Sequence, residues 1–442
     1  MESMHYWLRC LACGEPCPEQ RAGFRLQCDC AAPPRGLLRA EYGKRFAPVS
    51  EDGVFRYRNW LPIRRGAPWR AVHRQPAPGP VAYRSRALAR RLGLDRLVVL
   101  FSGYWPERGA GCETCSFKEL EALAVTARLS DADRRPLVVA SAGNTGRAFH
   151  TVCSRHAVPA VVVVPEAALP ALWTTAPAAA ETTLVAVTGD ADYADAIRVA
   201  GMIAALPGFL AEGGAHNVAR RDGMGTALLA GVECAGALPR HYVQAVGSGT
   251  GAIAAWEMAQ RLVRDGRFGG EVPRMHLAQN RPFTIMADAW ERRSRQLPPL
   301  DEAQAKRRIA AMRATVLSNR QPPYALAGGV YDALSASDGA MYRVSNRQAE
   351  HAGALFAAVE GCDIDPAAAV AVAALQQAVA GGAVGRDEMV FLNVTGGGFR
   401  RLHGEQRTRR LAPDLVVDHR TVTGADLARV LEAVRAPIRE VA

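Results

Sequence analysis

The sequence predicts an α/β protein with two parallel-sheet lobes and a small cysteine-rich cap at the N-terminus. Three observations carry this. From about residue 83, short β-branched runs alternate with stretches of helical periodicity, the pattern of parallel sheets covered by helices. Three of these runs end in glycine-rich turns, two of them leading into helical patterns, and strand ends of this kind are where parallel sheets hold ligands. Five of the ten cysteines crowd between Cys10 and Cys30.

Composition narrows the function classes. With 442 residues, 49% hydrophobic and 22% charged, the chain has ample apolar material for folded cores, and disorder is excluded as its main state. No apolar run reaches the ~18–20 residues of a membrane helix. The first twenty residues lack a continuous apolar stretch, so no secretory signal is expected and a cytoplasmic, reducing setting is. The net charge is +11, but only Lys44, Lys118 and Lys306 of the 54 basic residues are lysine. The arginines are scattered rather than striped with aromatics, so nucleic acid is not expected as a partner, and without a membrane-length apolar run neither is a membrane. A positive field favours small anions.

In chain order, residues 1–45 form the cap. Cys10 and Cys13 make one knuckle, and Cys28 and Cys30 a second with one residue between them; four thiolates suit a structural zinc. Cys17 is spare, and His5 is a substitute ligand. An aromatic stretch, Phe55–Pro62, and a connector with Pro76, Pro78 and Pro80 follow. Residues 87–94 read as a helix and LVVLF (97–101) as a strand. Further strands are expected at 137–141, 160–164, 183–187, 242–246, 275–279 and 389–394, with helices over 191–206, 252–264, 366–384 and 424–434. The expected division is 46–122 with 236–405 as the large lobe, 123–235 as the small lobe, and 406–442 as a tail.

Four segments carry chemistry. Gly247-Ser248-Gly249-Thr250-Gly251 follows a strand and opens a helix. Three glycines let backbone N–H groups and a helix N-terminus approach an anion, and the loop suits a monophosphate rather than a nucleotide. Ser141-Ala142-Gly143-Asn144-Thr145-Gly146 offers hydroxyls, an amide and free backbone donors to a carboxylate or a ring hydroxyl. Asn393-Val394-Thr395-Gly396-Gly397-Gly398 presents a hydroxyl at a strand end. Lys118, in Ser116-Phe117-Lys118-Glu119, starts a helical pattern, where the positive helix end lowers an amine's pKa and favours Schiff-base chemistry. Together they are the partners that pyridoxal phosphate requires.

On these motifs the chain resembles the fold-type II pyridoxal-phosphate enzymes (tryptophan synthase β-like), the group of threonine synthase and cysteine synthase. GYWPERGA and SFKELEA bring it nearest to the cysteate synthases within that group. GVFRYRNWLP (53–62) and VAYRSRALARRLGL (81–94) extend the resemblance, which covers residues 5 to about 400. It implies Lys118 as the Schiff-base lysine, Asn144 as partner of the ring hydroxyl, and Gly247, Ser248, Gly249, Thr250 and Gly251 as the phosphate cradle. Thr395 is then the partner of the pyridine nitrogen, and Ser141 and Thr145 bind the substrate carboxylate. Glu119 and Leu120 depart from the Asp-Arg usual in threonine synthases.

The implied reaction is β-replacement on O-phospho-L-serine by sulfite, giving L-cysteate and phosphate. The alternatives are a threonine synthase acting on O-phosphohomoserine, another biosynthetic nucleophile, or a non-catalytic sensor of phosphorylated amino acids. Two anions entering one site call for cations at the entrance, and Arg108 and Arg147 are the candidates. A homo-oligomer is expected.

Overall fold

Six strands form the larger sheet of the protein, which is described here from a computed structural model covering residues 5–423 except 65, 74, 131–132 and 177–180, together with 426, 427, 429 and 432. Their order is Ala340–Val344, Arg274–Asn280, His241–Ala245, Val390–Val394, Leu97–Phe101 and Val81–Arg84. All neighbours run parallel except the last pair. Three of the four inner strands, His241–Ala245, Val390–Val394 and Leu97–Phe101, are buried at every residue, as strands covered on both faces must be. The helix Pro366–Ala380 lies against this sheet with Ala367–Leu375 buried, which explains its apolar, alanine-rich composition.

A smaller parallel sheet has the order Leu210–Ala211, Leu137–Ala140, Ala160–Pro165, Thr182–Thr188 and Leu415–Asp418. The last strand comes from the tail and pairs parallel with Thr182–Thr188, Val185 opposite Leu415. No strand is expected there from sequence, because four residues at a sheet edge, with Val416 half exposed, carry almost no periodic signal. The edge strands Val81–Arg84 and Ala340–Val344 escape notice for the same reason. The expected helix over 424–434 lies largely outside the described residues.

One boundary needs correction. The helix Val218–Ala235 falls within the expected small lobe, yet only its start, at Ala219 and Met224, meets the apolar side chains of the smaller sheet's core. Ala227–Val232 enter the core of the larger sheet, because the apolar run LLAGV faces that way.

The cap is a three-stranded antiparallel sheet, with Tyr6–Cys10 between Pro16–Cys17 and Leu38–Tyr42. Buried ions tie it to the body. Glu19, its side chain 1% exposed, accepts from Arg128 Nη2 at 2.6 Å and lies 3.2 Å from Arg64. Arg261 Nη2 donates to the Ala40 carbonyl at 2.8 Å, and Tyr42 Oη to Asp222 at 2.6 Å. Among the described residues, no helix is long and apolar enough to cross a membrane.

Candidate active site

A cleft of roughly 720 Å³, its open mouth included, gathers the ends of strands from both sheets. Lys118, Ser141, Asn144, Thr145, Thr395 and the whole Gly247–Gly251 turn line it. Lys118 opens the helix Lys118–Arg128. The residue before it is stitched to the Thr395 turn, with Phe117 N donating to Thr395 O at 2.9 Å. Local sequence sets the lysine's place, and a long-range backbone bond brings it to the threonine.

The amine sits in an ion array. Lys118 Nζ lies 3.1 Å from Glu121 Oε2. The other Glu121 oxygen accepts from Thr145 Oγ1 at 3.1 Å and lies 3.5 Å from Arg220 Nη1. Arg220 in turn makes a two-point pair with Glu212 at 2.8 and 2.5 Å. Burial lowers the Lys118 pKa, with the Arg220 charge acting the same way and Glu121 opposing both. Glu121 and Arg220 are absent from the sequence expectations. Glu121 was legible in principle, since a residue three along a helix shares the lysine's face. Arg220 has one weak signal, a charged cluster opening an otherwise apolar helix.

The glycine turn is built for close approach. Gly249 has φ +78°. A Cβ there would fall 2.2 Å from Val330 Cγ2, one at Gly247 2.8 Å from Leu317 Cα, and one at Gly251 2.5 Å from Gln244 Nε2. Side chains are thereby excluded from the floor of the cleft, and the N-terminus of the 16-residue helix Thr250–Asp265 opens on it. Gln244, a further residue missed from sequence, also lines the cleft. Its oxygen is taken by Tyr242 Oη (2.6 Å) and Asn393 Nδ2 (3.0 Å), which fixes its amide as a donor.

The Ser141 hydroxyl accepts from Gly143 N at 2.9 Å and Gly146 N at 2.6 Å, holding its own turn in shape. The two arginines named from sequence do not line the cleft. Arg108 stacks over Tyr83 and Trp105, its Cζ 3.8 and 4.6 Å from the ring centroids, and its side chain is 37% exposed. Arg147 is 2% exposed and donates to the carbonyls of Thr114 and Ala171. The assignment of both to the entrance is thus corrected: aromatic faces hold one and buried carbonyls the other, and Arg220 is the cleft's arginine. In the cap, the Sγ atoms of Cys10, Cys13, Cys28 and Cys30 lie within 4.8 Å of one another, a spacing a metal ion can fill.

The residues fit pyridoxal phosphate. An amine, an anion cradle that any Cβ would block, and neutral amide and hydroxyl groups face one space. Residues 105–396 match the family profile described as "Pyridoxal-phosphate dependent enzyme". The chain belongs to the pyridoxal-phosphate dependent enzymes. Within this family it is similar to proteins named cysteate synthase. It is 48% identical to that of Methanoregula boonei over 93% of this chain and 94% of the relative. It is 46% identical to that of Methanosarcina acetivorans (93% and 96%) and 49% to that of Methanoculleus marisnigri (90% and 89%). Among solved structures, a pyridoxal 5'-phosphate-dependent aspartate racemase aligns with a TM-score of 0.53 at 16% identity, over 72% of this chain and 90% of that one. Threonine deaminase isoform 2 from Solanum lycopersicum aligns at 0.52 and 14%, over 76% and 88%. These structures share the fold, which is that of fold-type II.

Proposed function

We propose that the protein replaces the phosphate of O-phospho-L-serine by sulfite, giving L-cysteate and phosphate. The observation that carries this is the convergence of Lys118, the Gly247–Gly251 turn and Arg220 on one cleft, in a chain 46–49% identical to proteins named cysteate synthase.

Pyridoxal phosphate, once bound, supplies the electron sink that makes an amino acid's Cα–H acidic. Lys118 would hold it and, with its Nζ free, would take the Cα proton of the substrate and later return it. Burial favours the neutral, proton-accepting amine. Glu121, 3.1 Å away, holds the ammonium that results. Asn144 would hold the ring hydroxyl and Thr395 the ring nitrogen, and a neutral partner there would favour β-elimination over transamination. The turn Ser141–Gly146 offers backbone N–H groups to the substrate carboxylate, and the Thr145 hydroxyl joins them on turning from Glu121. Arg220 attracts the departing phosphate and the arriving sulfite.

The smaller sheet closes on the larger in this reading, shielding the reacting carbon from water. The cap's four cysteines hold zinc. The setting is cytoplasmic, supported by ten cysteines none of which is in a disulfide, and the assembly a homo-oligomer, tested by sedimentation. A panel of donors and nucleophiles read by phosphate release tests the reaction. Release from phosphoserine is expected; turnover of phosphohomoserine alone would overturn it.

A further inference from the structure

Arg147 is a large cation buried 5.7 Å or less from two aromatic ring centroids, Trp173 at 4.7 Å and Phe399 at 5.7 Å. Burying a guanidinium is costly unless its donors are used. Three of its bonds go to backbone carbonyls: Nε and Nη2 to Thr114 O at 3.1 and 2.9 Å, and Nη1 to Ala171 O at 2.7 Å. The fourth is different. Nη2 also donates to Asn144 Oδ1 at 2.9 Å, and Asn144 lines the cleft. At its other end, Asn144 Nδ2 donates to Asp365 Oδ2 at 3.3 Å.

The amide is therefore clamped between a cation on its oxygen and a carboxylate on its nitrogen. Turning it over would set NH₂ against guanidinium and oxygen against carboxylate, both repulsive, so only one orientation survives. In that orientation the second N–H of Asn144 is left to donate. Cys115, Asp365 and Glu119 act on the Arg147 charge through space, with no direct ion pair, so the guanidinium faces the Asn144 oxygen as a cation.

We propose that Arg147 is a positioning residue for the cofactor: it fixes Asn144 as a hydrogen-bond donor to the ring hydroxyl oxygen, and its charge holds that oxygen ionised and eases the proton off the Lys118 nitrogen of the loaded enzyme. This rests on Asn144 being the cofactor's partner.

The test uses cofactor and pH alone, without donor or nucleophile. Apoprotein of wild type, Asn144→Ala, Arg147→Gln and Arg147→Lys is titrated with pyridoxal phosphate, and the visible band of each holoenzyme is followed against pH. Asn144→Ala is expected to weaken cofactor binding at least tenfold; unchanged binding would remove the Asn144 assignment and this inference with it. Arg147→Gln, neutral and of similar shape, is expected to raise the pH at which the band titrates by about one unit or more, from the loss of a charge in a low-dielectric setting. Arg147→Lys, which keeps charge but not the fork, is expected to weaken binding with less than half of that pH shift. A weakened Asn144→Ala beside an unmoved titration in Arg147→Gln would overturn the role of Arg147. If the Gln variant is not recovered folded, the Lys variant decides, and wild-type affinity there would overturn the clamp.

Discussion

Replacing Glu121 by Gln isolates the charge that faces the Lys118 amine. The nitrogen and oxygen are 3.1 Å apart and the carboxylate is fully buried, while the lysine side chain is 19% exposed. At about 4 Å between charge centres and an effective dielectric constant near 20, a bare pair is worth about 4 kcal/mol. The Gln oxygen keeps a hydrogen bond to the amine, which offsets part of this, so the loss is about 1.5–3 kcal/mol. The sign is fixed: losing the anion removes the one strong influence raising the Lys118 pKa, so Lys118 in the variant titrates lower still. The chain has only three lysines, so competitive acylation of apoprotein across pH, with peptide mapping, reads each separately. In wild type, Lys118 is expected below its ordinary value. Lys306 is expected above it, since the bond to Asp195 outweighs its partial burial. In Glu121→Gln, Lys118 falls further and Lys306 stays. A Lys118 titration that stays put or rises would refute the reading of the ion array.

Three further outcomes follow from other parts of the molecule. Elemental analysis should find one zinc per chain, lost with Cys13→Ser together with several degrees of thermal stability; a zinc-free preparation that folds normally would remove the metal. Glu19→Gln leaves Arg128 buried without its counter-ion and should cost about 3–5 kcal/mol at neutral pH by urea unfolding. Burial alone would raise the Glu19 pKa, but Arg128 and Arg64 bring it below the ordinary value. Its contribution is therefore present above the unfolded-state pKa, about 4.3, and is lost as pH falls through the lowered value, so the gap between variant and wild type should close in acid. Solution scattering should show the holoenzyme contracting on adding phosphoserine; an unchanged radius would contradict closure of the two sheets.

Much of the site was legible because its chemistry is local. A strand followed by Gly247–Gly251 states its own geometry, since the turn needs φ +78° at Gly249 and tolerates no Cβ at three positions. Lys118 was legible from its place in a first helical turn. The arginines were not, because a long flexible cation is assigned by partners far along the chain. Arg147 looked like an entrance residue one position past SAGNTG. It is turned inward by Thr114 and Ala171, 33 and 24 residues away. Arg220 stands in no motif, yet a buried carboxylate at Glu212 and the start of an apolar helix carry it to the cleft. The tail strand Leu415–Asp418 was invisible for a related reason: its pairing with Thr182–Thr188 joins segments more than two hundred residues apart.

The most direct test of the account is to incubate the pyridoxal-phosphate-loaded protein with phosphoserine and heavy-sulfur sulfite and to follow products by mass. Labelled cysteate formed in step with phosphate is the predicted result. Phosphate with pyruvate alone would leave elimination standing and remove sulfite as the nucleophile, and no phosphate from phosphoserine would contradict the reaction as a whole.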